Sequence, residues 1–317
     1  MWKVAALLAA VLAIGALGAC GGDGAEPGAS HDATLMLDFV PNAAHAGLFT
    51  ALERDLFAER GVRMTIRTPG DSTDAPRLLR TGRVDFAVLD IHDLGLARER
   101  GLDLVGIAGL VQRPLASVLS REVSRPRDLE GKRVGVTGLP SDDAVLDSVV
   151  RSDGGDPENV RRTTIGFRAE AALQAGRVDA ATGFWNAEGE ALRSRGVDVR
   201  VFKVDEFGAP AYPELVLTTS REVLERDPEL VREVTEATRE GIEAVIEDPE
   251  AGLQALLTRN RGLDADVQRR QLKALEPVLA PAGALDEAQL RAWARWDVDN
   301  DILERPPDID EAFRLGR

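Results

Sequence analysis

From residue 33 onward, short apolar runs typical of buried strands alternate with amphipathic stretches typical of helices. The pattern predicts strands at 33–40, 62–68, 84–90 and 102–110, and helices at 45–60, 73–81 and 91–100. Gly61, Gly82 and Gly101 stand where these helices are expected to end. The alternation with short turns predicts an α/β unit whose mostly parallel sheet is covered on both faces.

The same order recurs in the middle of the chain. Strands are predicted at 132–138, 161–167, 178–184 and 197–204, and helices at 141–153, 168–175 and 186–195. A proline-containing stretch of extended character, 113–131, joins this second unit to the first. The sequence therefore predicts two α/β units of similar length.

After the second unit, one more strand at 212–220 precedes a tail that is helical to its end. The predicted tail helices are 221–226, 228–247, 250–260, 264–275 and 286–299. Asp227 and Asp248 each precede a proline, the usual order of an N-cap and a first helical residue. If the tail packs back on the first unit, the chain crosses between the units twice, near 114–120 and 213–219.

These features predict an α/β, two-lobed type II periplasmic-binding fold with a ligand cleft, two interlobe crossings and a helical tail on lobe one. We expect lobe one to contain 33–115 and 218–317, and lobe two to contain 116–217. Ligands of open α/β sheets bind at the carboxyl ends of the strands. We therefore expect these strand ends to form the walls of the cleft.

Composition narrows the range of partners. The formal net charge of -15 argues against a nucleic-acid partner and favours a soluble, self-repelling monomer. Aromatic residues make up only 4% of the chain, so the position of each one is informative.

The first residues are typical of a secretion leader. Lys3 precedes an apolar run that is too short to span a bilayer as a mature helix. The run ends in Leu17-Gly18-Ala19-Cys20, which resembles a bacterial lipobox. We expect a lipoprotein signal peptide at 1–19 and a lipidated, flexible tether at 20–32 that anchors the chain to the outer face of the cell membrane. The alternative is an ordinary secretion signal in which Cys20, the only cysteine, is incidental.

Common catalytic motifs are missing from the sequence. It contains no P-loop, no dinucleotide-binding glycine pattern, no H-E-x-x-H and no G-x-S-x-G. The three histidines, His31, His45 and His92, do not form a metal motif by local spacing. We therefore predict no catalytic residue, no metal and no cofactor.

Polar and aromatic side chains instead gather where predicted strands end. The candidate ligand-binding residues are Asp38, Phe39, Asn42 and His45 after the first strand, Asp90 after the third, Ser141 and Asp142, then Trp185, Asn186 and Glu188, and finally Tyr212 and Glu214. Phe39 is expected to stack on a ligand, with Asp38 and Asn42 bonding to its edges.

Each of these segments also has a structural interpretation. Ser141 or Asp142 could only cap the helix that follows, and Trp185 or Tyr212 could be packing residues. Trp293 and Trp296 occupy apolar positions of a tail helix and are expected to lie away from the cleft.

Together the candidate residues supply flat apolar faces, amides and carboxylates, without a cluster of lysine or arginine. This combination suits a planar heterocycle that is neutral or weakly cationic. A sulfonate or nitrate would require cationic walls or walls rich in N–H groups.

Several segments resemble, in the same order, those of the thiamine-precursor-synthesis-like family of ABC-transporter solute-binding proteins. They are LDFVPNAAHAGLF, RVDFAVLD, GLPSDDAVL, GFWNAEG, GAPAYPELVL and DIDEAFR, and the resemblance covers residues 33–317. It implies an extracytoplasmic protein that passes a thiamine pyrimidine precursor, or a similar small heterocycle, to an ABC permease and its ATPase. Phe39 stands where the family commonly has tryptophan.

The resemblance leaves other functions open. The family includes a pyrimidine-precursor synthase that uses pyridoxal phosphate, and relatives bind riboflavin-like or sulfonate-type ligands. A pyridoxal phosphate enzyme needs a Schiff-base lysine near the third strand, and residues 83–97 contain none. We therefore predict a binding protein and not an enzyme.

Overall fold

The computed structural model describes residues 31–70 and 74–316. The predicted signal peptide and Cys20 lie outside this part of the chain. The described strands are β1 (His31–Met36), β2 (Val62–Arg67), β3 (Phe86–Asp90), β4 (Leu104–Gly109), β5 (Ala116–Ser120), β6 (Arg133–Val136), β7 (Arg161–Thr164), β8 (Ala180–Phe184), β9 (Arg200–Lys203) and β10 (Leu215–Ser220).

Helices connect these strands and form the tail. They are α1 (Ala46–Glu53), α2 (Asp74–Arg80), α3 (Ile91–Glu99), α4 (Pro140–Ser152), α5 (Ala169–Gln174), α6 (Glu190–Ser194), α7 (Arg221–Arg226), α8 (Pro228–Glu247), α9 (Pro249–Arg259), α10 (Ala265–Leu275), α11 (Glu287–Asp299) and α12 (Ile309–Ala312). A single π-helical turn, Trp185–Gly189, precedes α6.

The strands form two five-stranded sheets within the described part of the chain. One has the order β2-β1-β3-β10-β4 and the other β7-β6-β8-β5-β9. In each sheet, the strand that enters from the other lobe, β10 or β5, runs antiparallel to both of its neighbours. The remaining contacts are parallel, so the two-lobed α/β architecture is confirmed.

The chain passes between the sheets twice. The first passage, 110–115, joins β4 to β5, and the second, 204–214, joins β9 to β10. Because β10 belongs to the first sheet from Leu215 onward, the second passage ends earlier than the 213–219 crossing expected from the sequence. The lobe limits 33–115, 116–217 and 218–317 stay a prediction.

The first predicted helix and the first predicted strand extend well past the observed ends. The helix expected at 45–60 stops at Glu53, because Asp55 adopts a left-handed backbone angle of φ 58° that no helix continues through. The strand expected at 33–40 ends at Met36, which leaves the next residues free to bend toward the cleft.

The tail covers lobe one and also reaches lobe two. Helices α8 and α9 pack on α1, where Gly241 allows close approach because a Cβ there would overlap the carbonyl of Gly47. Helix α10 contacts the π-helical turn, and Gln271 Nε2 donates to the Ala187 carbonyl at 3.0 Å. Within 31–70 and 74–316, no helix has the length and apolar character required to cross a membrane.

Candidate ligand-binding site

A cavity of about 90 Å³ lies between the lobes, where β1, β3, β6, β7 and β8 end. Lobe one contributes Asp38, Phe39, Ala75, Pro76, Val88, Leu89, Asp90 and Asp93, and lobe two contributes Thr137, Leu139, Ser141, Asp142, Phe167, Gly183, Phe184 and Glu188. Of the residues predicted from the sequence, the structure brings Asp38, Phe39, Asp90, Ser141, Asp142 and Glu188 together here. We call this cavity the cleft.

The cleft is acidic and aromatic. Its carboxyl groups belong to Asp38, Asp90, Asp93, Asp142 and Glu188, and its rings to Phe39, Phe167 and Phe184. Among the described residues that line it, there is no lysine, arginine or histidine. Such a surface favours ligands that carry N–H donors or positive charge, and it repels anions.

Asn42 and His45 lie behind the cleft and are not among its lining residues, so their contact with a ligand stays a prediction. The Asn42 side chain caps the short helical turn Ala43–His45 by accepting from the Ala44 amide at 2.9 Å. His45 Nδ1 accepts from the Asn42 amide at 3.2 Å, so its Nε2 carries the proton and donates to Asp38 at 2.8 Å. The two residues therefore fix the direction of the Asp38 carboxylate.

Ser141 and Asp142 make tertiary hydrogen bonds and do not cap α4. The N-cap of that helix is Leu139, which has no side-chain cap bond. The Asp142 carboxylate accepts from the Thr137 amide at 2.7 Å and from the Thr182 hydroxyl at 2.9 Å. The Ser141 hydroxyl donates across the cleft to Asp93 at 2.9 Å.

A second contact across the cleft is aromatic. The rings of Phe39, from lobe one, and Phe167, from lobe two, meet edge to face with centroids 4.6 Å apart. Together with the bond between Ser141 and Asp93, this contact joins the lobes at the mouth of the cleft. Both contacts lie where a closing motion of the two lobes would form them.

Burial raises the pKa of several carboxyl groups that line the cleft. It raises the pKa of Asp93 to about 8, with a further contribution from Asp90. It raises the pKa of Glu188 to about 7, although the Phe184 amide donates to this side chain at 3.0 Å. It also raises the pKa of Asp142. At neutral pH the cleft therefore holds both protonated and ionised carboxyl groups.

Trp185 and Asn186 lie outside the cleft lining, contrary to expectation. Side chains alternate in direction at the end of β8, so Phe184 faces the cleft and Trp185 faces a separate groove between the lobes. The Trp185 ring is 7% exposed, its N–H donates to the Pro114 carbonyl at 2.9 Å, and Lys203 Nζ lies 4.1 Å from its centroid. Asn186 is fully buried, and its amide has no hydrogen-bond partner among the described residues.

Tyr212 belongs to a buried network centred on His92 and is also absent from the lining. His92 Nε2 lies 3.0 Å from the Tyr212 hydroxyl, and Nδ1 lies 2.8 Å from Asp297. Burial lowers the pKa of His92, but Asp297 and Asp90 outweigh it and raise the value to about 10. The side chain is therefore an imidazolium that donates to both neighbours at neutral pH.

The tail tryptophans complete this network. Trp293 and Trp296 both pack on His92, with ring centroids 6.4 Å and 5.7 Å from that of the imidazole. His92 stands between the lining residues Asp90 and Asp93 in the sequence. Neither tryptophan lines the cleft, but both contact this histidine beside it.

Glu214 is fully buried behind Asp90. One carboxylate oxygen of each residue and one ring nitrogen of His92 lie within 4.8 Å of one another, which is the grouping that comes nearest to a metal site in the described chain. Both ring nitrogens of His92 are already bonded, to Asp297 and Tyr212. A metal ion there would have to displace one of these hydrogen bonds.

Three acidic or aromatic lining residues, Asp93, Phe167 and Phe184, are not among those predicted from the sequence. Asp93 follows the end of β3 by three positions, Phe167 follows the end of β7 by three positions, and Phe184 is the last residue of β8. The strand-end rule that singled out Asp38 and Asp90 would have found them if it had been applied to every strand.

The family model described as NMT1/THI5 like matches residues 42–252. The formylaminopyrimidine-binding protein of Halalkalibacterium halodurans is 33% identical over 291 residues, with 88% of each chain covered. The 4-amino-5-hydroxymethyl-2-methylpyrimidine phosphate synthase THI5 of Saccharomyces cerevisiae is 24% identical, covering 75% of this chain and 74% of the yeast protein.

Solved structures support the fold. The alkanesulfonate-binding protein SsuA from Xanthomonas axonopodis pv. citri, bound to MOPS, superposes with a TM-score of 0.75 at 18% identity. The match covers 91% of this chain and 99% of that one, so the architecture is that of a periplasmic binding protein. The family match, the identity to the formylaminopyrimidine-binding protein and the shared fold agree: the chain belongs to the NMT1/THI5-like family.

Proposed function

We propose that the protein is the extracytoplasmic solute-binding component of an ABC importer and captures a single-ring, amino-substituted heterocycle of the thiamine-pyrimidine type. It then delivers this ligand to a permease that is driven by an ATPase. The observation that carries the proposal is the cleft itself, where carboxyl groups and phenylalanine rings meet without a cationic side chain among the described lining residues. The similarity to a formylaminopyrimidine-binding protein supports the same ligand class.

The chemistry of an aminopyrimidine matches this surface. Its ring stacks on phenylalanine faces, its exocyclic amino group donates to carboxylates, and its ring nitrogens accept from a protonated carboxyl group. Glu188 offers that last partner, since burial raises its pKa to about 7. A cavity of about 90 Å³ favours one ring over the three fused rings of riboflavin.

The other ligands and activities fit less well. A sulfonate would face carboxyl groups on both lobes and would find no cationic side chain among the described lining residues to pair with. A pyridoxal phosphate enzyme would need a Schiff-base lysine, and no lysine lies among the described cleft residues or within residues 83–97.

Titration calorimetry on the purified full-length protein tests the proposal. Formylaminopyrimidine and 4-amino-5-hydroxymethyl-2-methylpyrimidine should each bind with one-to-one stoichiometry, whereas riboflavin and MOPS should give no saturable heat. Binding of MOPS, or failure of both pyrimidines to bind, would contradict the proposed ligand class.

We also propose that Cys20 carries the lipid that anchors the protein at the outer face of the membrane. Cys20→Ser should leave a folded protein that appears in the soluble fraction, because two acyl chains provide the stable attachment. Fractionation after a high-salt wash, followed by immunoblotting, measures the release. A variant that stays with the membrane would show that another segment anchors the chain.

A further inference from the structure

Glu214 lies where the two passages between the lobes meet. It is the last residue of the second passage, and its side chain is fully buried. The carboxylate oxygen Oε2 accepts from the backbone amides of Leu115 and Ala116, at the end of the first passage, with 3.0 Å to the latter. Hydrogen bonds to an ionised acceptor are about twice as strong as neutral ones. This pair of bonds, which we call the hinge clasp, ties the two passages together.

The other oxygen of Glu214, Oε1, is buried as well. It has no hydrogen-bond partner among the described residues. Asp90 lies beside it, because the Ile91 amide donates to the Glu214 carbonyl at 2.9 Å and Leu215 pairs with Asp90 across the sheet. One carboxylate oxygen of Asp90 lies within 4.8 Å of Glu214, and Asp90 also lines the cleft.

Two buried carboxyl groups that face each other are most stable when one proton lies between them. Asp90 is the member that takes it up, since burial, and then Glu214, raise its pKa well above the usual value. The Asp90 hydroxyl can then donate to Glu214 Oε1, which satisfies the unpaired oxygen. In doing so it draws negative charge away from the hinge clasp.

We propose that Glu214 is a positioning residue that couples the binding of a ligand's N–H donor at Asp90 to the strength of the hinge clasp. The inference rests on the proposed function, because it needs a donor-bearing ligand in the cleft. A donor at Asp90 stabilises the ionised form of that residue, so Asp90 releases the shared proton to the solvent as the ligand binds. Glu214 then places its full charge on the amides of Leu115 and Ala116, and the passages are held more tightly in the closed arrangement.

Other charged groups face this pair from several elements, and a test at a single pH keeps their ionisation constant. They are His92 and Asp93 on α3, Tyr212 on the second passage, Asp142 on α4 and Asp297 on α11.

Two variants change the pair from opposite sides. Asp90→Ala removes the proton donor from Glu214 Oε1, so Glu214 keeps its full charge and the hinge clasp should be strong without ligand. Glu214→Gln keeps an acceptor for Leu115 and Ala116 but carries no charge, so the hinge clasp should be weak even with ligand.

Hydrogen exchange of the Leu115 and Ala116 amides, followed by NMR on the full-length protein, measures the hinge clasp. In the wild type, saturating 4-amino-5-hydroxymethyl-2-methylpyrimidine should slow exchange about tenfold. Exchange in Asp90→Ala should be slow, and in Glu214→Gln fast, whether or not the pyrimidine is present. Gln112→Ala, which removes a neutral polar side chain at the first passage, should keep the wild-type response.

The variants separate this inference from the proposed function. If no pyrimidine binds, the opposite exchange rates of the two variants without ligand still test the hinge clasp. If both variants shift in the same direction, or both keep the wild-type response to a pyrimidine that binds, Glu214 only fastens the passages and the coupling is refuted. If one variant fails to fold, the other still tests the inference through its hydrogen-exchange rate without ligand. That rate must be slower than in the wild type for Asp90→Ala and faster for Glu214→Gln.

Discussion

Replacing Asp297 with alanine should lower the free energy of unfolding by about 3–5 kcal/mol at pH 7, the usual cost of breaking a buried ion pair from one side. Asp297 and His92 are both fully buried, and their atoms approach to 2.8 Å. Without the carboxylate, the buried imidazolium loses its nearest counterion, and burial then favours the neutral imidazole. Urea unfolding followed by circular dichroism measures the loss.

A matched pair on the surface provides the control. His31 and Asp227 lie 3.0 Å apart, with 42% and 23% of their side chains exposed. Because water screens this pair, His31→Ala should cost less than about 1 kcal/mol. Asp227 is kept because its side chain also caps α8. An equal loss in both variants would mean that burial does not strengthen the His92 pair.

The stability that His92 contributes should decrease as the pH rises. The pKa of His92 rises from 6.5 to about 10 in the folded protein. Its contribution to stability is therefore fully present below pH 6.5 and is lost as the pH rises through 10. The difference between the wild type and Asp297→Ala should shrink over that window. A difference that stays constant up to pH 10 would show that His92 is not charged in the folded state.

Much of the fold follows from local patterns in the sequence. Apolar runs bounded by glycine and proline located the strands, and Asp-Pro pairs located the starts of α8 and α9. The repeated order of strands and helices implied two lobes with strand ends facing one cleft. Asp38 and Asp90 were found this way because they follow or end buried strands.

The sequence could not assign the direction of side chains at a strand end. Phe184 and Trp185 are neighbours, yet one faces the cleft and the other the groove beside Lys203. Trp185 was predicted to line the cleft because it is the larger aromatic residue. The pleat of β8 instead directs the Phe184 side chain into the cleft.

Contacts between distant segments also could not be predicted from the sequence. His92 and Asp297 are 205 positions apart, and no spacing rule connects them. Likewise, Glu214 was predicted as a ligand contact because it follows a tyrosine and a proline at a crossing. Its partners are backbone amides of the other passage, which only the folded chain brings near.

The second large effect concerns ligand affinity, and it depends on Glu188. This residue lines the cleft, and burial raises its pKa to about 7. A protonated Glu188 can donate to a ring nitrogen of an aminopyrimidine while its carbonyl oxygen accepts from the amino group. Glu188→Ala removes both bonds and should weaken binding of 4-amino-5-hydroxymethyl-2-methylpyrimidine by about 1.5–3 kcal/mol, or roughly 10- to 150-fold.

The pH dependence distinguishes this role from simple packing. Above pH 7 the protonated form of Glu188 falls about tenfold per pH unit, and affinity for the neutral pyrimidine should fall with it between pH 7 and 9. Glu188→Gln donates from its amide at every pH, so its affinity should be nearly flat over that range. Calorimetry at several pH values compares the two profiles. If Glu188→Gln retains the wild-type slope, the group that titrates and donates is not Glu188. Asp93, with a pKa of about 8, is then the nearest candidate. In that case the ring nitrogen must lie on the other side of the cleft.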